Sequence, residues 1–195
     1  MATKGEQSKE KILTQATQVF NRQGFRTTTI NDLLKATGTT KGNLYFHFSG
    51  KEQVGFEVLK REKDAFMQFL DAALTGDTPG AALDNFLRSA LLKHRRSDFV
   101  GGCLFGNTAL EASDTAPVFA ELVAGVFDKW IGKIESIIAE AQQADQVRRD
   151  LPARDLAELV VATVEGGIMQ ARLQKVEGPM SRALATLRVL LDLKV

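Results

Sequence analysis

The chain has 195 residues, a length that allows one large domain or two small ones. Apolar residues make up 44% of it and charged residues 25%, a composition typical of a soluble protein with a sizeable core. Taken as a whole, the net charge of +1 does not suggest a nucleic-acid-binding protein, and the single cysteine, Cys103, excludes an internal disulfide framework.

The inventory of reactive residues argues against an enzyme. Two histidines and one cysteine supply neither a metal-ligand set nor a catalytic triad, and the Ser-x-x-Lys stretch at residues 8–11 lacks its companion motifs. We therefore expect no catalytic residues, no metal and no cofactor. The sequence also has no apolar run of roughly 18 residues and no signal-peptide core, so we expect a cytoplasmic protein without a membrane partner.

Positive charge is concentrated at the start of the chain. Residues 1–51 contain eight Lys and Arg against three Asp and Glu, a net charge of +5, whereas the remainder carries −4. A basic head on an acidic body concentrates positive potential where a nucleic acid could bind.

The first 50 residues predict three helices. The first helix is predicted from apolar residues that recur on one helix face: Ile12, Leu13, Ala16, Val19 and Phe20. Ser8 is expected to cap the start of this helix, and Gly24 is expected to end it. Thr29-x-x-Asp32 is a capping box for a second helix over residues 30–36. Gly38 marks a tight turn before a third helix over residues 41–47. Two short helices joined in this way form a helix-turn-helix, which presents its second helix to the DNA major groove.

Six more helices are predicted downstream, with no convincing strand. Ser49-x-x-Glu52 is expected to open the fourth as a capping box, and Pro117 and Pro152 to open the seventh and eighth. The predicted ranges are 51–74, 81–96, 104–112, 117–144, 153–175 and 180–193. The fold class is therefore all-α with nine helices.

The helix-turn-helix segment resembles the signature of the TetR family of bacterial transcriptional repressors. The matching residues are Gly38, Gly42, Leu44, Tyr45, His47, Phe48 and Lys51. The resemblance is specific over residues 8–59. It implies a DNA-binding domain at residues 1–50 and a ligand-binding and dimerisation domain at residues 51–195. It also implies a homodimeric repressor that a small-molecule effector releases from double-stranded operator DNA. A helical interaction module that does not bind DNA is the alternative.

Leu44 and Phe48 are four residues apart, so one face of the third helix is expected to be buried. Lys41 could then donate to guanine or phosphate, Asn43 could pair with adenine, and Thr40 or Phe46 could contact a thymine methyl group. The aromatic cluster could instead belong to the core, but its joint spacing with the two helix starts favours DNA binding. The candidate DNA-binding residues are Thr28, Thr29, Thr39, Thr40, Lys41, Asn43, Tyr45, Phe46, His47 and Lys51.

The body of the chain is rich in aromatic residues, and an apolar pocket with a few polar groups is the usual small-molecule site. The candidate ligand-binding residues are Phe66, Phe69, Phe86, His94, Cys103, Phe105, Asn107, Phe127, Trp130 and Gln170. The polar members could instead be caps, surface residues or core residues. Residues 102–107 also resemble the Gly-Cys-Leu-x-x-Asn element of one branch of TetR-like regulators. At a helix N-terminus Cys103 could be a reactive sensor of electrophiles or oxidants, or simply a small buried residue.

The last two helices carry apolar stripes at helical spacing. The resemblance implies that such helices from two subunits form a four-helix bundle, although each residue could equally belong to the core of one subunit. The candidate dimer-interface residues are Leu156, Val160, Gly167, Met180, Leu184, Leu187 and Leu191.

Overall fold

The computed structural model describes residues 3–195, and this part of the chain contains nine α-helices and no strand, which confirms the predicted all-α class. Several predicted bounds are met to the residue, including those of the third and sixth helices. The helices are α1 Lys4–Gln23, α2 Ile30–Thr37, α3 Lys41–His47, α4 Lys51–Ala73, α5 Pro79–Arg95, α6 Leu104–Ala112, α7 Pro117–Gln143, α8 Ala153–Gln174 and α9 Gly178–Leu190.

The helices group into two compact units. The first comprises the chain up to Asp64 together with Cys103–Val123, and the second comprises Ala65–Gly102 and Ala124–Val195. Both α4 and α7 therefore contribute residues to each unit. The domain boundary near residue 50 stays a prediction. None of the helices described is long and apolar enough to cross a membrane.

The start of α1 differs from the prediction. The helix begins at Lys4, and Thr3 and Glu6 form a reciprocal capping box, so the expectation that Ser8 caps it is wrong. The first turn carries no apolar residue, so the hydrophobic period starts only at Ile12 and places the helix start too late. The start of α4 also differs in detail, because the backbone N–H of Ser49 donates to Oε1 of Gln53 at 2.5 Å.

The core of the first unit joins α1, α2, α3 and the first part of α4. Leu33 and Leu44 are completely buried, and Ile12 and Phe48 are nearly so. In α1 and α4 the buried residues are mostly spaced three or four apart, which places them on one face of each helix. The seven-residue α3 is too short to be stable alone, so its position depends on this packing.

In the second unit, α8 and α9 pack closely against each other. A Cβ atom added at Gly167 would lie 3.3 Å from the Cα atom of Met180, so a side chain there would separate the two helices. The contact also settles which face of each helix is buried within one subunit. Every residue predicted for the dimer interface is buried within the single chain, and the six that have large side chains are at most 1% exposed: Leu156, Val160, Met180, Leu184, Leu187 and Leu191.

That assignment of the dimer interface is therefore corrected. Spacings of three and four residues identify the buried stripe of an amphipathic helix, but they do not identify the partner that buries it. Here the partner is another helix of the same chain. A buried carboxylate supports the same arrangement, since Asp84 of α5 pairs with Nε of Arg188 of α9 at 2.6 Å.

Candidate nucleic-acid interface

The turn between α2 and α3 is held by local hydrogen bonds. Gly38 has the left-handed backbone conformation, with φ 64°, and its N–H donates to the carbonyl of Leu34 at 3.0 Å. Glycine adopts this conformation at little cost, so it ends α2 sharply. Thr40 then caps α3, because its hydroxyl accepts the N–H of Asn43 at 3.2 Å.

The buried side of α3 determines which residues face outward. Leu44 and Phe48 are anchored in the core of the first unit. Phe46 is 80% exposed on the side opposite Leu44, and Tyr45, on a flank of the helix, is 45% exposed. Lys41 is also exposed, and its ammonium group lies 5.9 Å from the centre of the Tyr45 ring. The helix thus presents a basic and aromatic surface.

Asn43 has a different environment from the one expected of a base-reading residue. Its side-chain amide donates to the hydroxyl oxygens of Thr39, at 2.6 Å, and Ser8, at 2.8 Å. These bonds connect α3 to α1 and use both amide hydrogens. Asn43 therefore braces α3 in this structure, and Ser8 has a role other than the predicted one.

Lys51 lies at the start of α4 and contacts the loop between α1 and α2. Its ammonium group donates to the carbonyl oxygens of Phe25, at 3.0 Å, and Arg26, at 3.4 Å. It also lies 4.6 Å from the centre of the Phe25 ring. An ammonium group has three donors, so one remains for a phosphate oxygen.

The two threonines before α2 serve the local structure. Thr28 is buried, and its hydroxyl donates to the carbonyl of Gly24 at 2.6 Å, so its side chain is not available to a phosphate. Thr29 is exposed and forms the predicted capping box with Asp32. Hydrogen bonds from the Thr29 side chain and backbone lower the pKa of Asp32.

The remaining candidates lie around this surface. Thr39 is partly buried beside Asn43. The ring of His47 is partly buried, with its centre 5.0 Å from that of Phe46. Seven basic residues of the first unit are exposed and add positive potential: Lys4, Lys11, Arg22, Arg26, Lys35, Lys41 and Lys60.

An aromatic cluster lies in the second unit. Trp130 is its centre, with its ring 5.1 Å from that of Phe66, 5.8 Å from Phe127 and 6.2 Å from Phe86. Phe69 stacks on Phe66 at 6.1 Å. Nε1 of Trp130 is buried, and within the described residues it has no hydrogen-bond partner. Five of the ten candidate ligand-binding residues therefore lie together.

The other five candidates are more scattered. His94 is buried in α5, whereas Gln170 is exposed on α8. Cys103, Phe105 and Asn107 belong to the first unit. There Sγ of Cys103 caps α6 by accepting the N–H of Gly106 at 3.5 Å, and Asn107 donates to Oδ1 of Asn21 at 3.1 Å.

Sequence reasoning did not anticipate the contacts of two residues that support these sites, although it suggested Glu111 as a polar member of the ligand pocket. Glu111 of α6 accepts the backbone N–H of Arg26 at 3.2 Å, a contact between residues 85 positions apart. No local pattern could have indicated it. Lys93 lies 4.5 Å from the centre of the Phe69 ring and 5.4 Å from that of Phe66. The sequence offered one indication of this contact, namely that Lys93 is a basic residue next to His94 on an amphipathic helix.

Known proteins resemble the chain over almost its entire length. The profile of bacterial regulatory proteins of the tetR family matches residues 12–58, and that of the tetracyclin repressor-like C-terminal domain matches residues 79–187. The HTH-type transcriptional repressor DhaR of Mycobacterium sp. strain GP1 is 26% identical, over 90% of this chain and 88% of DhaR. The uncharacterised HTH-type transcriptional regulator Rv0196 of Mycobacterium tuberculosis is 30% identical, over 94% of this chain and 93% of Rv0196. The crystal structure of a TetR transcriptional regulator from Chloroflexus aurantiacus matches with a TM-score of 0.87 and 32% sequence identity. The match covers 95% of this chain and 94% of that regulator.

The buried histidine makes stability depend on pH. Burial, assisted by the charge of Lys93, lowers the pKa of His94 from 6.5 to about 4. Between these values the unfolded chain binds a proton that the folded chain does not, so stability is fully present above pH 6.5 and is lost as the pH falls towards 4. We expect His94 to contribute about 2–3 kcal/mol to this loss.

Urea denaturation at pH 7 and pH 5 measures the effect. In His94→Gln the difference in unfolding free energy between the two pH values should be smaller than in the parent chain. His47→Gln, at the other histidine, is the matched control and should retain the parental difference. An unchanged difference in His94→Gln would contradict the assignment.

Proposed function

The chain belongs to the TetR family of bacterial transcriptional regulators, and we propose that it is a dimeric repressor that a small apolar effector releases from its operator. The observation that carries the proposal is the basic and aromatic face of α3, opposite the buried Leu44 and Phe48. A helix anchored in this way can enter the major groove while its partner helices contact the backbone.

The contacts to DNA divide into two groups. Lys41, Tyr45 and Phe46 extend from the exposed side of α3, where they can approach base edges or phosphates. Lys51 and the N-terminus of α4 form a phosphate site, because a helix N-terminus carries partial positive charge. Phosphate contacts set the register of α3, and contacts to base edges select the sequence.

Selection from random duplex DNA should enrich a roughly palindromic motif, because a symmetric dimer presents α3 twice. Binding to six to ten phosphates would lower affinity about 10³–10⁵-fold between 50 and 200 mM salt. Lys41→Ala should weaken binding, whereas Lys129→Ala on α7 should leave it unchanged. Fluorescence anisotropy with the selected duplex measures both. A helical interaction module that does not bind DNA would instead yield no enriched motif and no salt-dependent association.

A second apolar face on α8 and α9 supports dimerisation. It lies on the side of these helices that their mutual packing leaves exposed. Leu173 of α8 is 81% exposed and Val189 of α9 is 79% exposed, although both are large apolar residues. Four more large apolar residues of this region are exposed: Leu159 and Met169 of α8, Leu190 of α9, and Val176 between the two helices. Large exposed apolar residues in this number favour an interaction site, and a second copy of the two helices would complete a four-helix bundle.

The two faces of these helices predict opposite results for one type of substitution. Leu173→Glu places an unpaired charge in the proposed dimer interface, at a cost of about 3–5 kcal/mol, and should give a folded monomer. Leu187→Glu places the charge in the intramolecular core and should destabilise the fold itself. Sedimentation gives the oligomeric state and circular dichroism the helix content. A Leu173→Glu protein that remains a dimer at micromolar concentration would exclude this interface.

The aromatic cluster around Trp130 is the proposed effector site. Its rings offer apolar surface, and the indole N–H offers a hydrogen-bond donor for a polar atom of the effector. Phe66 and Phe69 belong to α4, whose first residues follow α3 directly. An effector that displaces α4 would change the separation of the two DNA-reading heads, so that they no longer match successive major grooves.

Trp130 is the only tryptophan, so its fluorescence can be used to screen small aromatic compounds for binding. An effector found in this way should lower operator affinity, and operator DNA should lower effector affinity by the same factor, since the coupling is reciprocal. Titrations in both directions measure the two factors. We expect Cys103→Ser to retain this response. If Cys103→Ser loses only its response to electrophiles or oxidants, the protein senses these compounds by covalent modification of Cys103. If the factors measured in the two titrations are unequal, allosteric release is excluded.

A further inference from the structure

Phe46 occupies an unusual position for a large apolar residue. It is 80% exposed, although aromatic residues of this size are normally buried in a soluble protein. Successive residues of an α-helix are separated by about 100° around the axis. On α3, Phe46 therefore points about 160° away from Leu44, which is completely buried. It stands at the centre of the outward face.

The residues around Phe46 leave its ring accessible. Gly42 lies one turn earlier on the same side, and apart from its chain neighbours and the backbone of α3, no atom lies within 4 Å of the position that a Cβ atom would occupy there. Lys41 and Tyr45 form a pair on one flank. Asn43 and His47 lie on the other flank, where the amide of Asn43 is bonded to Ser8 and Thr39. The centre of the face is thus apolar, and its polar groups are at the sides.

An apolar centre selects a particular chemical feature of DNA. In the major groove the thymine 5-methyl group is the apolar feature among base edges that otherwise present hydrogen-bond donors and acceptors. A residue at the centre of the inserted face meets base edges, whereas residues at its sides lie closer to the phosphates. Apolar contact with a methyl group would also remove Phe46 from water.

We propose that Phe46 selects a thymine in each half-site of the operator by contact with its 5-methyl group. The inference rests on the proposed DNA-binding function. Within it, Asn43 is a positioning residue that holds α3 against α1, and hydrogen bonding of Asn43 to adenine is not the source of specificity.

The test uses the full-length protein and the operator selected from random DNA. Replacing each thymine in turn by deoxyuridine removes only the methyl group and leaves base pairing unchanged. At one thymine per half-site we expect the affinity of the parent protein to fall about fourfold, the value that corresponds to one methyl group buried. Phe46→Ala should bind the unmodified operator more weakly, and it should be insensitive to deoxyuridine at that position.

Lys129→Ala is the control, since Lys129 is exposed in the second unit and its replacement should retain the sensitivity to deoxyuridine. Because Phe46 is exposed, its replacement should preserve the fold, which circular dichroism checks. Moreover, the base substitution tests the contact with the unaltered protein. A selected operator at which no thymine shows sensitivity that depends on Phe46 would overturn this inference and leave the proposed function intact. Failure to select any operator would instead exclude the DNA-binding function itself.

Discussion

The burial of Leu44 and Phe48 is the constraint on which the reading surface depends. A helix of seven residues cannot maintain its own conformation in water, because nucleation is costly and few hydrogen bonds follow it. The two apolar side chains fix α3 about its axis, and the cap at Thr40 fixes where it begins. Once these are set, the direction of every other side chain on α3 follows. The exposed position of Phe46 is a consequence of the core, not a separate feature.

This dependence explains why so much of the head could be predicted from the sequence. The capping box at Thr29, the turn at Gly38 and the interval between Leu44 and Phe48 are local patterns, and local hydrogen bonds or sterics produce them. Contacts between distant segments could not be predicted in this way. Asn43 was expected to be free to read a base, but Ser8, which lies 35 residues earlier, accepts one of its hydrogens. Thr28 was expected at the surface, but the packing of the α1–α2 loop buries it.

The last two helices show a different limit. Their apolar stripes were correctly identified as buried surface, but these residues are buried within the single chain, where Gly167 of α8 lies close to Met180 of α9. A helix with two apolar faces gives a weak periodic signal, because apolar residues surround most of its circumference. Leu173 and Val189 are therefore difficult to separate from the core by spacing alone. Their exposure in the folded chain is the evidence that distinguishes the two faces.

Within the first unit, the loop between α1 and α2 connects several helices to the reading head. The ring of Phe25 lies 4.8 Å from that of Phe119, at the start of α7, and Lys51 of α4 donates to the carbonyl of Phe25. Glu111 of α6 accepts the N–H of Arg26, and its carboxylate fills the space where a Cβ atom of Gly24 would lie. A displacement of α6 must therefore either break the bond to Arg26 or move the loop. Because α2 begins four residues after Arg26, moving the loop moves the helix against which α3 packs. The orientation of the reading surface thus depends on α6 as well as on α4.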